Sequence, residues 1–531
     1  MRMRILLLLS LGLVWTSAPF AFSQTFVQGN VSGRWTKAAG PYVLLANVTV
    51  QSSDTLTIEP GVSVKFSLGT SMAVDGILMA LGAPSDSIRF TTAEPNPAPG
   101  KWGQILFSYA ASAKMSLMDY VIIEFGGGNT VSAVVESYWN LHMDHALVRY
   151  NGSGLSLAGS GETVLSNSIV HGNTNYGVIA RRLVVFNVQF LSNSGFYGGN
   201  AGGHVTFVQC TFRGNSPNAF MLFDGSTAGN FRSCLIEENA AGIGSCYLDD
   251  TLHVDSCQII DNSGYGINAH ALYDRGIVIA HHSIIAGNAG AGILEASQGS
   301  VIEQNDIVGN GGGIVSLVGD SDMVIHSNVI AGNSGTGIEL SSGRPPSVRF
   351  NDVYDNLADF SGFSTFVGDT TLTVNRNGVH ADLYMNIRRD PMFLSPSDYH
   401  LQTNSPCINA GDTLLTDGDG SVSDIGVYSY VFSTAVANSG IEAPREFSLT
   451  QNYPNPFNPS TTIRYGLPAR LDVTLRVFNI LGQQVAELIN GSQEAGYHEL
   501  VFNASGLASG VYLYTLRAGT FVETKRLLLV R

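Results

Sequence analysis

Charge is scarce in this sequence. Asp, Glu, Lys and Arg make up 13% of its 531 residues, and the balance is acidic, with a net charge of −15. That sign excludes nucleic acid and anionic membrane as partners held by charge. Cysteine is scarce too: five residues, odd in number and too few for a disulfide framework. Cys210, Cys234 and Cys257 are expected as a buried stack of thiols, with a bridge between neighbours or a metal site as the alternatives. Helical periodicity is missing. No stretch carries ten or more residues of 3.6 period, which disfavours leucine-rich and ankyrin-like repeats. A membrane-spanning run is missing as well: Ile5 to Trp15 falls short of the ~20 residues needed. With Met1-Arg2-Met3-Arg4 before it and Ala21-Phe22-Ser23 after it, that run reads as a signal peptide over residues 1–23. The expected mature chain therefore begins at Gln24 and has no transmembrane anchor.

What is plentiful is glycine, at 60 residues, and asparagine at a fixed period. Asn151, Asn173, Asn193, Asn215, Asn239, Asn262, Asn288, Asn310, Asn333 and Asn356 follow one another at gaps of 20 to 26 residues. Three residues before each stands Val, Phe or Ile, without exception. Five before it, from the second repeat on, stand Ser168, Val188, Cys210, Cys234, Cys257, Ser283, Asn305, Asn328 and Asn351. Positions −5 and −3 share parity, so both are expected to face inward. Glycine and then an aliphatic residue follow most of the asparagines, as in Gly266-Ile267 and Gly292-Ile293. Each unit thus reads as strand, Asn turn, Gly, strand. A period in this range marks a solenoid.

A coil of about 23 residues with short strands and a turn Asn resembles the right-handed parallel β-helix family, a pectate-lyase-like solenoid. Coils stacked ~4.8 Å apart would place each Asn above its counterpart, so that side-chain amides hydrogen-bond up the stack. The fold class is all-β: a parallel β-helix over 24–375, a closing module over 376–430, a linker over 431–446 and a small β-sandwich over 447–531. The passages Thr55–Gly61 ("TLTIEPG") and Gly100–Phe107 ("GKWGQILF") are similar to the opening coils of secreted bacterial β-helix proteins. The run from Arg388 to Tyr428, with "DPMF", "DYHL" and "SPCINAG", resembles their closing module, expected to cover the last coil, since an open strand edge invites association. "QNYPNPFNPST" from Gln451 and "LASGVY" from Leu507 resemble the type IX secretion C-terminal sorting domain, subtype A. That resemblance implies the type IX machinery as a partner and export across the outer membrane to the cell surface or outside.

Seven residues before the Asn, six coils in a row carry Arg232, Asp255, His281, Glu303, His326 and Arg349. Neighbours would lie ~5 Å apart, near enough to couple their titrations. One reading is a ladder of compensating charges, each exposed pair contributing little. The other is a polar stripe that binds an extended glycan, with an acid and a base among its members. Pectin-hydrolase and pectate-lyase β-helices are poor templates. Asp249-Asp250 and Gly203-His204 stand in the wrong order with no "NTD", and Arg181-Arg182 has no acidic Ca²⁺ cluster beside it. Asp417, Asp419 and Ser421, with Asp424 further on, alternate around glycine as a Ca²⁺ loop requires, though its twelfth position is Tyr428; the alternative is an Asp-Gly turn. Trp35, Trp102, Trp139, Tyr176, Tyr197, Tyr247, Tyr265 and Tyr273 are aromatics available to stack on sugars. The expected function is a secreted or surface protein, non-catalytic, carbohydrate-binding or adhesin-like. The alternative is a polysaccharide lyase or glycoside hydrolase.

Overall fold

The computed structural model describes residues 24–430, except 112–114, 129–130, 158, 160–162, 181–182, 195–203, 223–227, 246–250, 270–275, 295–298, 317–321, 341–345, 365 and 418–419. It also describes residues 447–529, except 451, 453–456, 458, 469–470, 480–483, 494–495, 508–509 and 519–520. The signal-peptide segment and the linker fall outside these residues. The chain divides into two compact units, Met1–Tyr430 and Val431–Arg531.

The first unit is a right-handed parallel β-solenoid. A regular coil has three strands where the repeat pattern suggested two: Thr251–Asp255, Gln258–Ile260 and Ile267–Asn268 form one coil, and Ile277–His281 begins the next. First strands stack into a 14-stranded parallel sheet, from Gly33–Trp35 to Ser347–Arg349. Second strands stack into another, and third strands form a seven-stranded sheet from Phe220–Leu222 to Ala358–Ser361. In the opening coils the second and third sheets merge, because the long strand Tyr42–Val50 pairs with both Ser63–Phe66 and Met72–Val74.

Two bends shape the coil. The first lies between first and second strands, where one residue per coil takes positive φ: Ser233 (51°), Ser256 (54°), His282 (48°), Gln304 (51°), Ser327 (54°) and Phe350 (57°). This conformation costs an L-residue roughly 1–2 kcal/mol, and the ladder bonds on either side hold it. It also explains a puzzle in the repeat. Positions −7 and −5 share parity, yet −7 faces solvent and −5 faces the core, because position −6 turns the chain between them.

The second bend carries the asparagines, all buried up to Asn333. Asn262 shows the pattern. Its backbone N–H and its Nδ2 both donate to Oδ1 of Asn288, at 3.1 and 2.8 Å, and Nδ2 also donates to the Ile236 carbonyl at 3.1 Å. The same links run from Asn151 to Asn356, and there the ladder ends on Asp359, whose Oδ1 accepts both donors. A second ladder rises through position −5, from Ser283 through Asn305, Asn328 and Asn351 to Asn386, ending on the carboxylate of Asp382. Below it Cys210, Cys234 and Cys257 are free and buried. Burial pushes the Cys210 thiol well up, and the neighbouring Cys234 together with burial pushes up Cys257. The glycine after the Asn bend has a steric reason: a Cβ on Gly242 would sit 1.9 Å from the Gly266 carbonyl oxygen of the next coil. Isoleucine, valine and a packed group of Phe190, Phe207, Phe212, Phe220 and Phe231 fill the interior.

The closing module only partly matches its expected place. Asn386 and Ile387 do extend the last coil: Ile387 N–H donates to the Asn351 carbonyl at 2.8 Å. Beyond them the chain folds back along the outside of the second sheet instead of capping the end. Leu401, Cys407, Ile408, Ala410 and Ile425 pack there on Val329 and Ala331. The cause lies in the outward positions of that sheet, polar at Thr211, Arg213 and Gln258 but apolar at Ile284, Ala286, Val329 and Ala331, which are buried.

The second unit holds a three-stranded and a four-stranded antiparallel sheet. Ile463, Tyr465 and Phe502 from one meet Val473, Leu475 and Tyr514 from the other in a shared core.

Candidate functional site

Each residue of the −7 stripe ends a strand of the first sheet, and the register places them in one file. Arg232 pairs with Asp255, Asp255 with His281, His281 with Glu303, Glu303 with His326, and His326 with Arg349. Their contacts are loose. Nδ1 of His281 stands 3.8 Å from one Glu303 oxygen, and Nδ1 of His326 stands 3.8 Å from the other. Asp255 is 3.7 Å from Nδ1 of His282, the neighbour of His281 in sequence. Two of the six have a closer side-chain partner: Nε2 of His326 lies 2.8 Å from the Ser347 hydroxyl, and Asp255 Oδ1 accepts the Ser256 hydroxyl at 3.2 Å. Side chains of His281 and Glu303 are about one-third exposed, and Arg232 and Arg349 are exposed.

Electrostatics weaken these pairs further. Burial pushes His326 below the usual histidine range, against the opposing charge of Glu303. His253, two residues before Asp255 on the same outer face, is also pushed down, by burial and then by His281 and Arg232. Contacts of 3.7–3.8 Å with a water-exposed carboxylate contribute at most about 1 kcal/mol each. The stripe does little to hold the solenoid together.

The same offset continues in earlier coils, where the six-coil count had stopped. Seven before Asn151 stands Asp144, and one rung earlier stands Asp119, paired with it in register. Ser166, Phe186 and Val208 stand between Asp144 and Arg232 in the file. His145 Nδ1 lies 3.2 Å from both carboxylates, and their hydrogen bonds raise it to about 9. Donor atoms of Asp119, Asp144 and His145 lie within 4.8 Å of one another, a set a metal ion could use. At neutral pH the imidazolium, shared between the two carboxylates, supplies one positive charge against them.

The proposed Ca²⁺ residues divide. Asp417 Oδ2 accepts the Asp424 N–H at 3.0 Å, and Oδ1 accepts the Ser429 hydroxyl at 2.9 Å. Asp424 is pushed up to about 6 by burial, with the Asp417 charge adding to it. Asp424 in turn accepts backbone N–H groups at both oxygens, from Asn409 at 2.6 Å and from Tyr430, so both carboxylates are already engaged within the module. Ser421 lies on the same hairpin, its carbonyl accepting the Asp417 N–H at 3.0 Å; Asp419 lies outside the described residues.

Several sugar-stacking aromatics prove to be core. Trp35 stacks on Tyr42, and Trp102 stacks on Phe66 at 4.0 Å while its Nε1 donates to the Glu124 carbonyl. Both are buried, as is Tyr176; Trp35 ends a strand on its inward side, whereas Trp102 and Tyr176 lie between strands. Trp139 is half-buried, and the Tyr265 hydroxyl donates to Asn218 at 2.6 Å. Tyr197, Tyr247, Tyr273, Arg181-Arg182 and Asp249-Asp250 lie outside the described residues.

One site had no trace in the repeat pattern. Where the closing module folds back, it leaves a cleft of about 410 Å³ against the second sheet. Gln258 and Asp261 line it from the solenoid, and Asp398, Tyr399, His400 and Tyr428 from the module. His400 stacks on Tyr428 with ring centroids 3.8 Å apart, and its Nδ1 is 2.7 Å from Asp398. Asp306 belongs to the same covered face. It is fully buried, its Oδ1 accepting the Val427 N–H at 3.3 Å while Oδ2 has no hydrogen-bond partner among the described residues.

Residues 118–271 and 244–379 match the family described as "Right handed beta helix region", and residues 451–530 match "Secretion system C-terminal sorting domain". No curated protein matches the sequence. Among solved structures, pectate lyase Pel9A is 17% identical, with 72% of this chain and 88% of that one covered and a TM-score of 0.31. A mutant of the periplasmic alginate epimerase AlgG is 11% identical, covering 62% and 83%, at 0.37. The tailspike gp49 of Acinetobacter baumannii bacteriophage Fri1, a capsular polysaccharide depolymerase, is 9% identical, covering 90% and 73%, at 0.28. Overlaps this loose say nothing of activity in this chain.

Proposed function

This chain is a secreted right-handed parallel β-helix protein that ends in a type IX sorting domain, and from that premise we propose that it binds an extended extracellular polysaccharide without cleaving it. The observation that supports this is the stripe. Six polar side chains stand on consecutive rungs of an outward face, and their contacts with one another along the file are no closer than 3.8 Å where they pair. A polymer lying along the stack meets one donor or acceptor per coil, and their sum over six coils supplies binding that no single contact would. An open sheet face keeps water at every position, which suits adsorption and not the water-excluded chemistry of an active site. At the cell surface such a protein acts as an adhesin-like element.

The second reading is a polysaccharide lyase or glycoside hydrolase. Glu303 between His281 and His326 favours it, because an acid–base pair on adjacent rungs is what proton transfer at a glycan needs. Both readings meet in one experiment. The protein is incubated with acidic and neutral polysaccharides, and retention, unsaturated uronate absorbance and new reducing ends are followed together. Retention on one polymer, lost in Glu303→Ala and Arg232→Ala, with no product, is the expected result. Product formation abolished by His281→Ala or Glu303→Ala would establish the enzyme instead.

A further inference from the structure

The cleft under the closing module has the composition of a small-ligand site. Its volume, about 410 Å³, is at the lower end of the ~300–1,000 Å³ that such sites occupy. Two walls have different chemistry. On the module side the stacked rings of His400 and Tyr428 offer a flat apolar face, with Tyr399 beside them. On the solenoid side Gln258 and Asp261 offer an amide and a carboxylate, and Asp398 adds a second carboxylate. A flat ring with an apolar C–H face and an edge of hydroxyl donors satisfies both walls at once.

The charge of the cleft narrows the class. No Lys or Arg lines it, whereas Asp261 and Asp398 do. The hydrogen bond from His400 holds Asp398 below the ordinary carboxylate range, so it is ionised at neutral pH. Behind the lining lies Asp306, whose carboxyl burial raises to about 8, so at neutral pH the negative charge facing a ligand comes from Asp261 and Asp398. A ligand carboxylate would meet Asp261 and Asp398 with no Lys or Arg in the lining to offset them.

We propose that this cleft binds a pyranose unit that is neutral or amine-bearing, and that it rejects uronates. The site is separate from the stripe, and binding here holds whether or not the stripe binds a polymer. One ring, as a chain end or side branch, fits the space.

The test is calorimetric titration of the full chain with cellobiose, a glucosamine disaccharide and digalacturonate. The neutral or the amino disaccharide is expected to bind, and digalacturonate to bind at least tenfold more weakly. Tyr428→Ala should weaken binding at least tenfold, while Tyr428→Phe, which keeps the ring, should retain it. Because Tyr428→Ala also removes a packing contact of the module, each variant's thermal melt accompanies the titration. Asp261→Asn, at an exposed solenoid position, gives an independent reading: the preference against digalacturonate should shrink. Glu94→Gln, in the opening coils and outside both the cleft and the stripe, should leave all three titrations unchanged. Binding of neither uncharged nor amino sugar overturns the proposal, as does equal affinity for digalacturonate, or a folded Tyr428→Ala that binds as the parent does.

Discussion

At the scale of single residues, Asp306 is the most informative group in the first unit. Burial raises its carboxyl to about 8, opposed only by the Val427 N–H. In the unfolded chain it titrates near 4, so the native state holds the extra proton between those values. Stability is therefore full below about 4 and falls as pH rises through about 8. Asp306→Asn keeps the shape and removes the titration. It should raise the melting temperature at pH 8, by an amount equivalent to about 1–3 kcal/mol, with little change at pH 5. A melt of the variant at pH 8 no higher than the parent's would refute this account. Ca²⁺ at Asp417, Ser421 and Asp424 is a proposal at the same scale. If the ion takes the place of the shared proton, millimolar Ca²⁺ raises the melting temperature at pH 7 and Asp417→Asn abolishes the rise; a melt indifferent to Ca²⁺ and chelator would leave a plain turn.

At the scale of the coil, the Asn bend and the positive-φ bend act together, and the ladder asparagine can be tested directly. Asn262→Ala removes the acceptor of two donors from Asn239, and the donor to Ile236, all buried. Leaving such groups unpaired costs roughly 1–3 kcal/mol each, so unfolding by urea should shift to clearly lower concentration. An unchanged midpoint would show that the ladder is incidental. Much of this element was legible in the sequence, because every coil repeats the same solution at the same offset: −3 inward, −7 outward, Asn in the bend. The bend at position −6 escaped notice, so the two strands on either side of it, such as Thr251–Asp255 and Gln258–Ile260, read as one. The cleft escaped for a stronger reason. Gln258 and Tyr428 lie 170 residues apart in the sequence and share no period, so only the apolar outward positions Ile284, Ala286, Val329 and Ala331 hinted that something covers that face.

At the scale of the whole molecule, the sorting domain can be removed without touching the solenoid core, because the two units have separate cores. Deletion of residues 447–531 should leave the solenoid folded and the protein inside the outer membrane, read by fractionation; release to the medium at the usual level would contradict the assignment of the tail. The ladders have one further consequence. Each asparagine gives in one direction and receives from the other, so the file behaves like a sentence that may be lengthened between its first and last words. A duplicated coil inserted between Asn173 and Asn333 finds both a giver below and a receiver above. Asp359 and Asp382, which can only receive, act as full stops, and growth by copying is open in the interior of this protein but closed at its C-terminal end.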